Sequence, residues 1–184
     1  MQANQSLWWV ALMGLLAQGA AMAAPVLTCS QVTSAAPSLG AKYQGLVVND
    51  DYHLRVRVPK GLTGWGAAVF PDGTGAPFHG FAVYPSDDRR GCIVVTIGWR
   101  VDEDDAPKRP QGAPSVMIPG ATAWMEEASG VAEGQSLFNR TVTFSAAVGH
   151  SFADGSIQII GPSAERKRLT AIGDAIVRSM AIGP

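Results

Sequence analysis

The clearest pattern along the chain is an alternation of apolar and polar residues over residues 52–59, "YHLRVRVP". A period of two predicts a β-strand with one buried side and one solvent-facing side. Pro59 and Gly61 end this strand, since both residue types are unfavourable inside a sheet. Residues 45–51 predict its hairpin partner. The residues expected to face inward are Tyr52, Leu54, Val56 and Val58.

Further strands are predicted at residues 81–85, 92–101 and 140–148. The second of these is apolar on both sides, which is typical of a central strand that is covered on both faces. The third alternates again. The dipeptide Asp154–Gly155 favours a turn, and residues 156–160 would follow it as another strand. On the third strand, the residues expected to face inward are Val142, Phe144, Ala146 and Val148.

Two helices are predicted in the second half of the chain. Residues 121–129, "ATAWMEEAS", predict a short helix that ends at Gly130. Residues 163–182 predict a long amphipathic helix with Ser163 as its N-cap. Its apolar stripe contains Leu169, Ile172, Ile176 and Met180. This order of elements predicts an α+β domain, in which a largely antiparallel sheet is covered by a long C-terminal helix and a shorter helix.

The first residues have the pattern of an export signal. Residues 7–16, "LWWVALMGLL", form an apolar run of signal-peptide length that is too short to span a bilayer. Ala21-Met22-Ala23 supplies the small residues that signal peptidase requires. We therefore expect a signal peptide at residues 1–23, a single exported domain at residues 24–184, and a periplasmic or secreted location. No later stretch predicts a membrane span.

Cys29 and Cys92 are the only two cysteines. In an oxidising compartment two thiols of one small domain commonly pair, so a Cys29–Cys92 disulfide is predicted. A lipid anchor on Cys29 and a catalytic Cys–His pair are the alternatives. Thr28 is larger than the residue that usually precedes a lipidated cysteine, and the apolar run of the signal ends well upstream. The disulfide is therefore the favoured interpretation.

Charge and motifs narrow the chemistry further. A formal net charge of −1 argues against nucleic acid as a partner. His53, His79 and His150 are scattered without metal-ligand spacing, so no metal and no cofactor are predicted. His150, Ser151 and Asp154 are close in sequence, but a polar hairpin connection is favoured over a catalytic triad. No catalytic residue is assigned.

Two loops are the candidate binding regions. Between residues 60 and 81, aromatic residues stand among glycines, which combines contact area with an adaptable backbone. The alternative is that these aromatic side chains cap one end of the sheet. The second loop, residues 102–112, begins with four carboxylates that can steer a basic partner. The candidate binding residues are Trp65, Phe70, Phe78 and His79 in the first loop, and Asp102, Glu103, Asp104 and Asp105 in the second.

The strand "YHLRVRVPKG", a late two-strand hairpin and a closing helix that contains "IVRSM" resemble the PsbP-like α/β/α sandwich proteins. The resemblance extends over most of residues 43–182. It implies a small exported or envelope protein that binds proteins or small ligands. It implies no catalytic residues.

These observations lead to three functional hypotheses. The first is an exported, non-enzymatic binding protein, such as an inhibitor or immunity-type protein, that uses its loops to bind a protein partner in the cell envelope. The second is a hydrolase of cell-wall or polysaccharide material, which would require His79 or His150 beside a carboxylate. The third is a carrier of a small apolar ligand between sheet and helix. The sequence does not indicate the oligomeric state.

Overall fold

The computed structural model describes residues 26–33, 42–66, 80–101 and 103–183 of the chain. The strands are β1 (Lys42–Tyr43), β2 (Gly45–Asn49), β3 (Leu54–Val58), β4 (Gly64–Gly66), β5 (Gly80–Val83), β6 (Cys92–Trp99), β7 (Thr122–Ala132), β8 (Gln135–Val148), β9 (Ser151–Pro162) and β10 (Ala181–Ile182). The α-helices are α1 (Cys29–Val32) and α2 (Arg166–Ser179), and 3₁₀ turns lie at Glu103–Asp105 and Ser163–Glu165.

Seven strands form one antiparallel sheet in the order β1-β4-β5-β6-β9-β8-β7, which we call the large sheet. The last three strands of this order are joined by tight hairpins and are also the longest, at 11, 14 and 12 residues for β7, β8 and β9. Three further strands form the small sheet, in the order β10-β3-β2. The fold is therefore α+β with a largely antiparallel sheet, as predicted.

The main core lies between one face of the large sheet and a layer made of α2 and the small sheet. Helix α2 packs closely on β9 at Gly173. A Cβ atom at this position would lie 2.2 Å from Ile159 Cδ1, so the close approach requires glycine. This contact leaves no room for an apolar ligand between the helix and the sheet at that position. The inward row of β3 and the stripe of α2 are buried here, and their members include Leu54, Val56, Val58, Leu169 and Ile176.

A second apolar cluster covers part of the opposite face of the large sheet. Cys29 of α1 is bonded to Cys92 of β6, with their Cα atoms 5.9 Å apart. The predicted disulfide is confirmed, and the cysteine that a lipid anchor would require is bonded instead. Alternation along β6 directs Cys92 and Val94 away from the main core, where they pack with Ile160 of β9.

Most of the predicted strands are confirmed, because their apolar rows match the buried faces. The hairpin of β2 and β3 is present, and the four residues expected to face inward from residues 52–59 are all buried. The inward row predicted for residues 140–148 is also buried. The stripe of α2 behaves in the same way, with Leu169, Ile176 and Met180 buried and Ile172 packed against the core.

The helix predicted at residues 121–129 is wrong. This stretch belongs to strand β7, which pairs with β8 from Thr122 opposite Ser145 to Ala132 opposite Gln135. Its Ala, Met and Glu residues favour a helix locally, but a complete ladder with a long neighbouring strand overrides that weak preference. The shorter helix of the fold is α1, which lies near the disulfide.

The turn predicted at Asp154–Gly155 is also wrong, since both residues lie inside β9. Asp154 is held by an ion pair with Arg100. Gly155 provides close packing instead of a turn, because a Cβ atom there would lie 2.4 Å from Phe144 Cζ. The hairpin turn falls at Gly149–His150, where Gly149 has a φ of +62°.

The C-terminal helix is shorter than predicted at both ends. Ser163 begins a 3₁₀ turn, and its Oγ lies 3.0 Å from Ser136 Oγ, so it does not cap α2. Helix α2 ends at Ser179 because Met180 is extended and β10 then pairs with β3. Among the helices that the structure describes, none is both long enough and apolar enough to cross a bilayer.

Candidate functional site

One end of the large sheet gathers the long connections. Strand register places the end of β4 at Gly66, the start of β5 at Gly80 and the end of β6 at Trp99 towards this end. Thr122 at the start of β7 and the turn at residues 149–150 lie there as well. The two loops predicted to bind are therefore anchored at the same end. We call it the loop end, and its described residues are 99–101, 103–122 and 148–152.

The opposite end carries the disulfide and short turns, and we call it the disulfide end (residues 26–33, 84–92 and 131–137). Arg90 Nε lies 2.8 Å from Asp88 Oδ2 here. Hydrogen bonds from Arg90 and Ser86 lower the pKa of the Asp88 carboxyl. A hollow of about 180 Å³ beside the disulfide is lined by residues that include Thr28, Ser30, Arg89, Arg90, Glu133 and Gln135.

Large apolar side chains are exposed at the loop end. Val101 is 96% exposed and Met117 is 84% exposed, while Trp99 and Phe152 are 43% and 42% exposed. In the described part of the chain, the disulfide end has one comparable side chain, Val131. Single exposed apolar residues are ordinary on protein surfaces, but several at one end of a sheet mark a candidate interaction site.

Arg100 forms the centre of a rigid cluster at the loop end. Its Nε and Nη2 atoms donate to the two carboxylate oxygens of Asp154 at 2.7 and 2.8 Å, and Nη2 also donates to Ser145 Oγ at 2.7 Å. The guanidinium carbon lies 4.5 Å from the centre of the Phe152 ring. A bidentate pair of this kind fixes geometry as well as charge. The exposed Phe152 ring therefore packs on the Arg100 guanidinium, which Asp154 holds in place and whose charge Asp154 balances.

The indole of Trp99 packs against Tyr52, which belongs to the main core. The two ring centres are 4.9 Å apart, and Tyr52 itself is buried. Burial, and to a lesser extent the charge of Asp51, raises the pKa of the Tyr52 phenol. The ring thus stays neutral at physiological pH and supports one face of Trp99, while the indole remains partly open to solvent.

The structure describes one of the four predicted residues of the aromatic loop. Trp65 lies in β4, half-buried, opposite Lys42 of β1, whose Nζ lies 4.9 Å from the indole centre. Trp65 is therefore a strand residue that stacks on a neighbouring ammonium group. Phe70, Phe78 and His79 lie outside the described residues, and their role in binding stays a prediction.

The acidic loop follows directly after the exposed Val101. Asp102 lies outside the described residues, and Glu103–Asp105 form a 3₁₀ turn. Asp104 and Asp105 are exposed. The carboxylates of Asp104 and Asp105 thus lie in the loop end, three and four residues after Val101 in the sequence.

Among the described residues, the catalytic and metal-binding groups considered in the sequence analysis are not assembled. His150 is exposed in the β8–β9 turn, and the carboxylate of Asp154 is occupied by Arg100. Within the described ranges, no group of three or more His, Cys, Asp or Glu side chains is close enough to hold a metal ion.

Sequence reasoning missed the exposed residues of the loop end. Residues 92–101 are apolar on both sides, so Trp99 and Val101 were assigned to the buried strand together with Ile97. The strand ends at Trp99, and only residues up to Ile97 are buried. A signal was present, since Gly98 interrupts the β-branched run and an acidic loop begins four residues later, at Asp102.

No protein-family model and no curated protein matches the chain. Among solved structures, it is similar to LpqN of Mycobacterium tuberculosis, a protein involved in cell envelope biogenesis. The identity is 15%, the match covers 79% of this chain and 86% of LpqN, and the TM-score is 0.47.

A structure from Bacteroides thetaiotaomicron is 12% identical with a TM-score of 0.48, over 77% of this chain and 50% of the other. The chain thus spans half the length of that protein. Cyanobacterial PsbP from Synechocystis is 10% identical with a TM-score of 0.40, over 78% of this chain and 92% of PsbP. The resemblance to PsbP-like proteins suggested by the sequence is thus confirmed as a weak structural likeness.

Proposed function

We propose that the protein is an exported, non-enzymatic binding protein whose loop end contacts a protein partner in the cell envelope. In its most specific form it is an inhibitor or immunity-type protein that inserts the loop end into its partner's active site. The observation that carries the proposal is the exposure of Trp99, Val101 and Phe152 at one end of the large sheet.

The supports of these side chains favour binding. Interface hot spots are enriched in aromatic residues and arginine, and they bind best when they are held in place before contact. Phe152 rests on the Arg100–Asp154 pair, and Trp99 rests on Tyr52. Both rings therefore lose little conformational freedom when a partner covers them.

The acidic turn supplies the electrostatic part of the proposed surface. Asp104 and Asp105 are exposed beside Val101. Negative charge around an apolar centre accelerates encounter with a basic partner and disfavours an acidic one. The proposed partner surface is therefore basic around an apolar recess.

The disulfide supports an exported location, because such bonds persist in oxidising compartments and are rare in the cytosol. The proposal includes removal of residues 1–23 as a signal peptide and a mature domain of residues 24–184. The mature protein would then be periplasmic or secreted.

The test compares two single substitutions during capture of the partner from an envelope extract. Val101→Asp places a charge at the loop end, and Val131→Asp places the same charge at the disulfide end, where Val131 is also exposed. We expect Val101→Asp to reduce the recovery of the captured partner at least tenfold, while Val131→Asp recovers as much as the unchanged protein. Both variants should unfold at the temperature of the parent.

Equal recovery with both variants would remove the loop end as the binding surface. A partner lost only with Val131→Asp would move the site to the disulfide end.

A further inference from the structure

The outer face of the small sheet carries a second, chemically different surface. Leu46 and Val48 of β2 are 53% and 50% exposed. Register places Leu46 opposite Arg57 and Val48 opposite Arg55, and both arginines are exposed. We call these four residues the outer patch. It consists of an apolar row on β2 beside a cationic row on β3.

The apolar row lies on an edge strand of the small sheet, as the described residues define it. β2 pairs with β3 and is the terminal strand of the small sheet. Outside that pairing, no backbone hydrogen bond joins Gly45–Asn49 to another described residue. Natural sheets protect their edges with proline, lysine or bulges. β2 has the sequence GLVVN and carries none of these protections.

The cationic row has no acidic counterpart in the part of the chain that the structure describes. Within the described ranges, no ion pair joins Arg55 or Arg57 to a carboxylate. A hollow of about 260 Å³ continues the outer patch towards the β2–β3 turn. Its lining includes Val48, His53 and Arg55, and Asp50 is the one acidic side chain among its described lining residues. The outer patch is therefore positively charged along β3, and Asp50 partly balances this charge at the β2–β3 turn.

We propose that β2 accepts an extended segment of a partner protein as an added strand, with acidic side chains of that segment directed towards Arg55 and Arg57. Strand addition at an exposed edge is an established mode of peptide recognition, in which backbone bonds give affinity and alternate side chains give specificity. The outer patch shares no residue with the loop end, and the proposal does not depend on the function proposed for that end.

Sheet geometry sets the composition of the segment. Neighbouring strands lie about 4.8 Å apart, so an added strand lies about 10 Å from β3. An arginine of β3 and a glutamate of the added strand together span that distance when their side chains are extended. Their methylene groups would then lie over Leu46 and Val48 of β2. Residues two apart in the segment share one face, so acidic residues should alternate with apolar ones.

The test uses three short synthetic peptides and ¹⁵N-labelled protein. The first peptide alternates Glu and Val, the second alternates Lys and Val, and the third contains the residues of the first in separate blocks. We expect only the first to shift the backbone amide signals of Gly45–Asn49 in a saturable titration. The third controls for composition, since it lacks the alternation.

A charge swap separates recognition from misfolding. The double variant Arg55→Glu/Arg57→Glu should reduce the affinity for the Glu–Val peptide about tenfold or more. Two exposed ion pairs are lost and two repulsions are added. The variant should also gain binding of the Lys–Val peptide. Lys167→Glu, an exposed reversal on α2, should leave both results unchanged.

The proposal is overturned if the Glu–Val peptide does not shift the backbone amide signals of β2, or if the block peptide shifts these signals equally. It is also overturned if the swap does not exchange the preference. A dimer detected by light scattering and abolished by Leu46→Asp would show that a second copy occupies the edge instead. None of these outcomes bears on capture through Val101.

Discussion

The two ends of the large sheet are built from the same strands but are finished differently. At the disulfide end, the Cys29–Cys92 bond ties α1 to β6, and the turns at residues 84–91 and 133–134 are short. At the loop end, the β4–β5 and β6–β7 connections are long, and Trp99, Val101 and Phe152 remain exposed.

This difference separates stability from interaction. A covalent bond at one end restricts the unfolded chain and stabilises the whole sheet. The other end can then expose apolar side chains without loss of the fold. We infer that the disulfide end is structural and that the loop end is the functional surface.

The largest effect is expected from removal of the disulfide. Cys29→Ser/Cys92→Ser should reduce the free energy of unfolding by about 4 kcal/mol, given the 63-residue separation of the two cysteines. Urea titration of the mature protein measures this loss. Below the unfolding transition, partner capture should be retained. A variant of full stability that no longer captures the partner would reverse the assignment of the two ends.

A smaller effect is expected at the base of the loop end. Asp154→Asn removes the counter-ion of Arg100, whose side chain is only 10% exposed, and should reduce the free energy of unfolding by about 2 kcal/mol. The matched control is Asp88→Asn at the disulfide end, where both partners are well exposed. The control should unfold close to the parent in the same urea titration. Equal losses would show that the Arg100 cluster is no more rigid than a surface pair.

The Tyr52 phenol gives the loop end a response to alkaline pH. Its pKa is raised above 10.0, so the fold favours the neutral ring. The corresponding stability is fully present below pH 10.0 and is lost as the pH rises through the folded-state pKa. Tyr52→Phe should therefore flatten the decline of the unfolding free energy above this pH. Tyr43→Phe is a useful companion, because burial also raises the pKa of Tyr43. An unchanged decline in Tyr52→Phe would contradict the buried position of the ring.

The smallest effect on stability is expected at Met117. Its side chain is 84% exposed, so Met117→Ser should change the free energy of unfolding by no more than about 0.5 kcal/mol. Capture of the partner should nevertheless weaken, since the side chain belongs to the exposed apolar group of the loop end. Unchanged capture would restrict the surface to Trp99, Val101 and Phe152.

Much of the fold could be predicted from local pattern. Strand β3 and helix α2 could be predicted because one side of each element is buried and the other faces solvent, which produces a regular pattern of apolar and polar residues. The disulfide was readable because the chain has only two cysteines. In each case a single local rule and the tertiary structure agree.

The errors arose where tertiary contacts decide. The residues of β7 favour a helix, but β8 offers a complete ladder along their length. The dipeptide Asp154–Gly155 is typical of turns. In the structure, however, the Asp154 carboxylate pairs with Arg100, and the Phe144 ring packs where a side chain at Gly155 would lie. Arg100 is 54 residues from Asp154 in sequence, and Phe144 lies opposite Gly155 on the neighbouring strand, so the composition of the dipeptide itself could not reveal either contact.

The candidate site was only partly predictable. The two loops were identified by composition, and the structure anchors both at one end of the sheet. Val101 and Phe152 were missed because exposure depends on where a strand stops relative to its neighbours. That boundary is set by pairing between β6 and β9, which local periodicity does not report.

Site-specific photo-crosslinking in intact cells tests the division between the two ends most directly. A photoreactive residue is placed at Val101 in one protein and at Val131 in another, since both side chains are exposed and lie at opposite ends of the large sheet. We predict a discrete crosslinked protein from position 101 and none from position 131. A discrete product from position 131 alone would contradict the account.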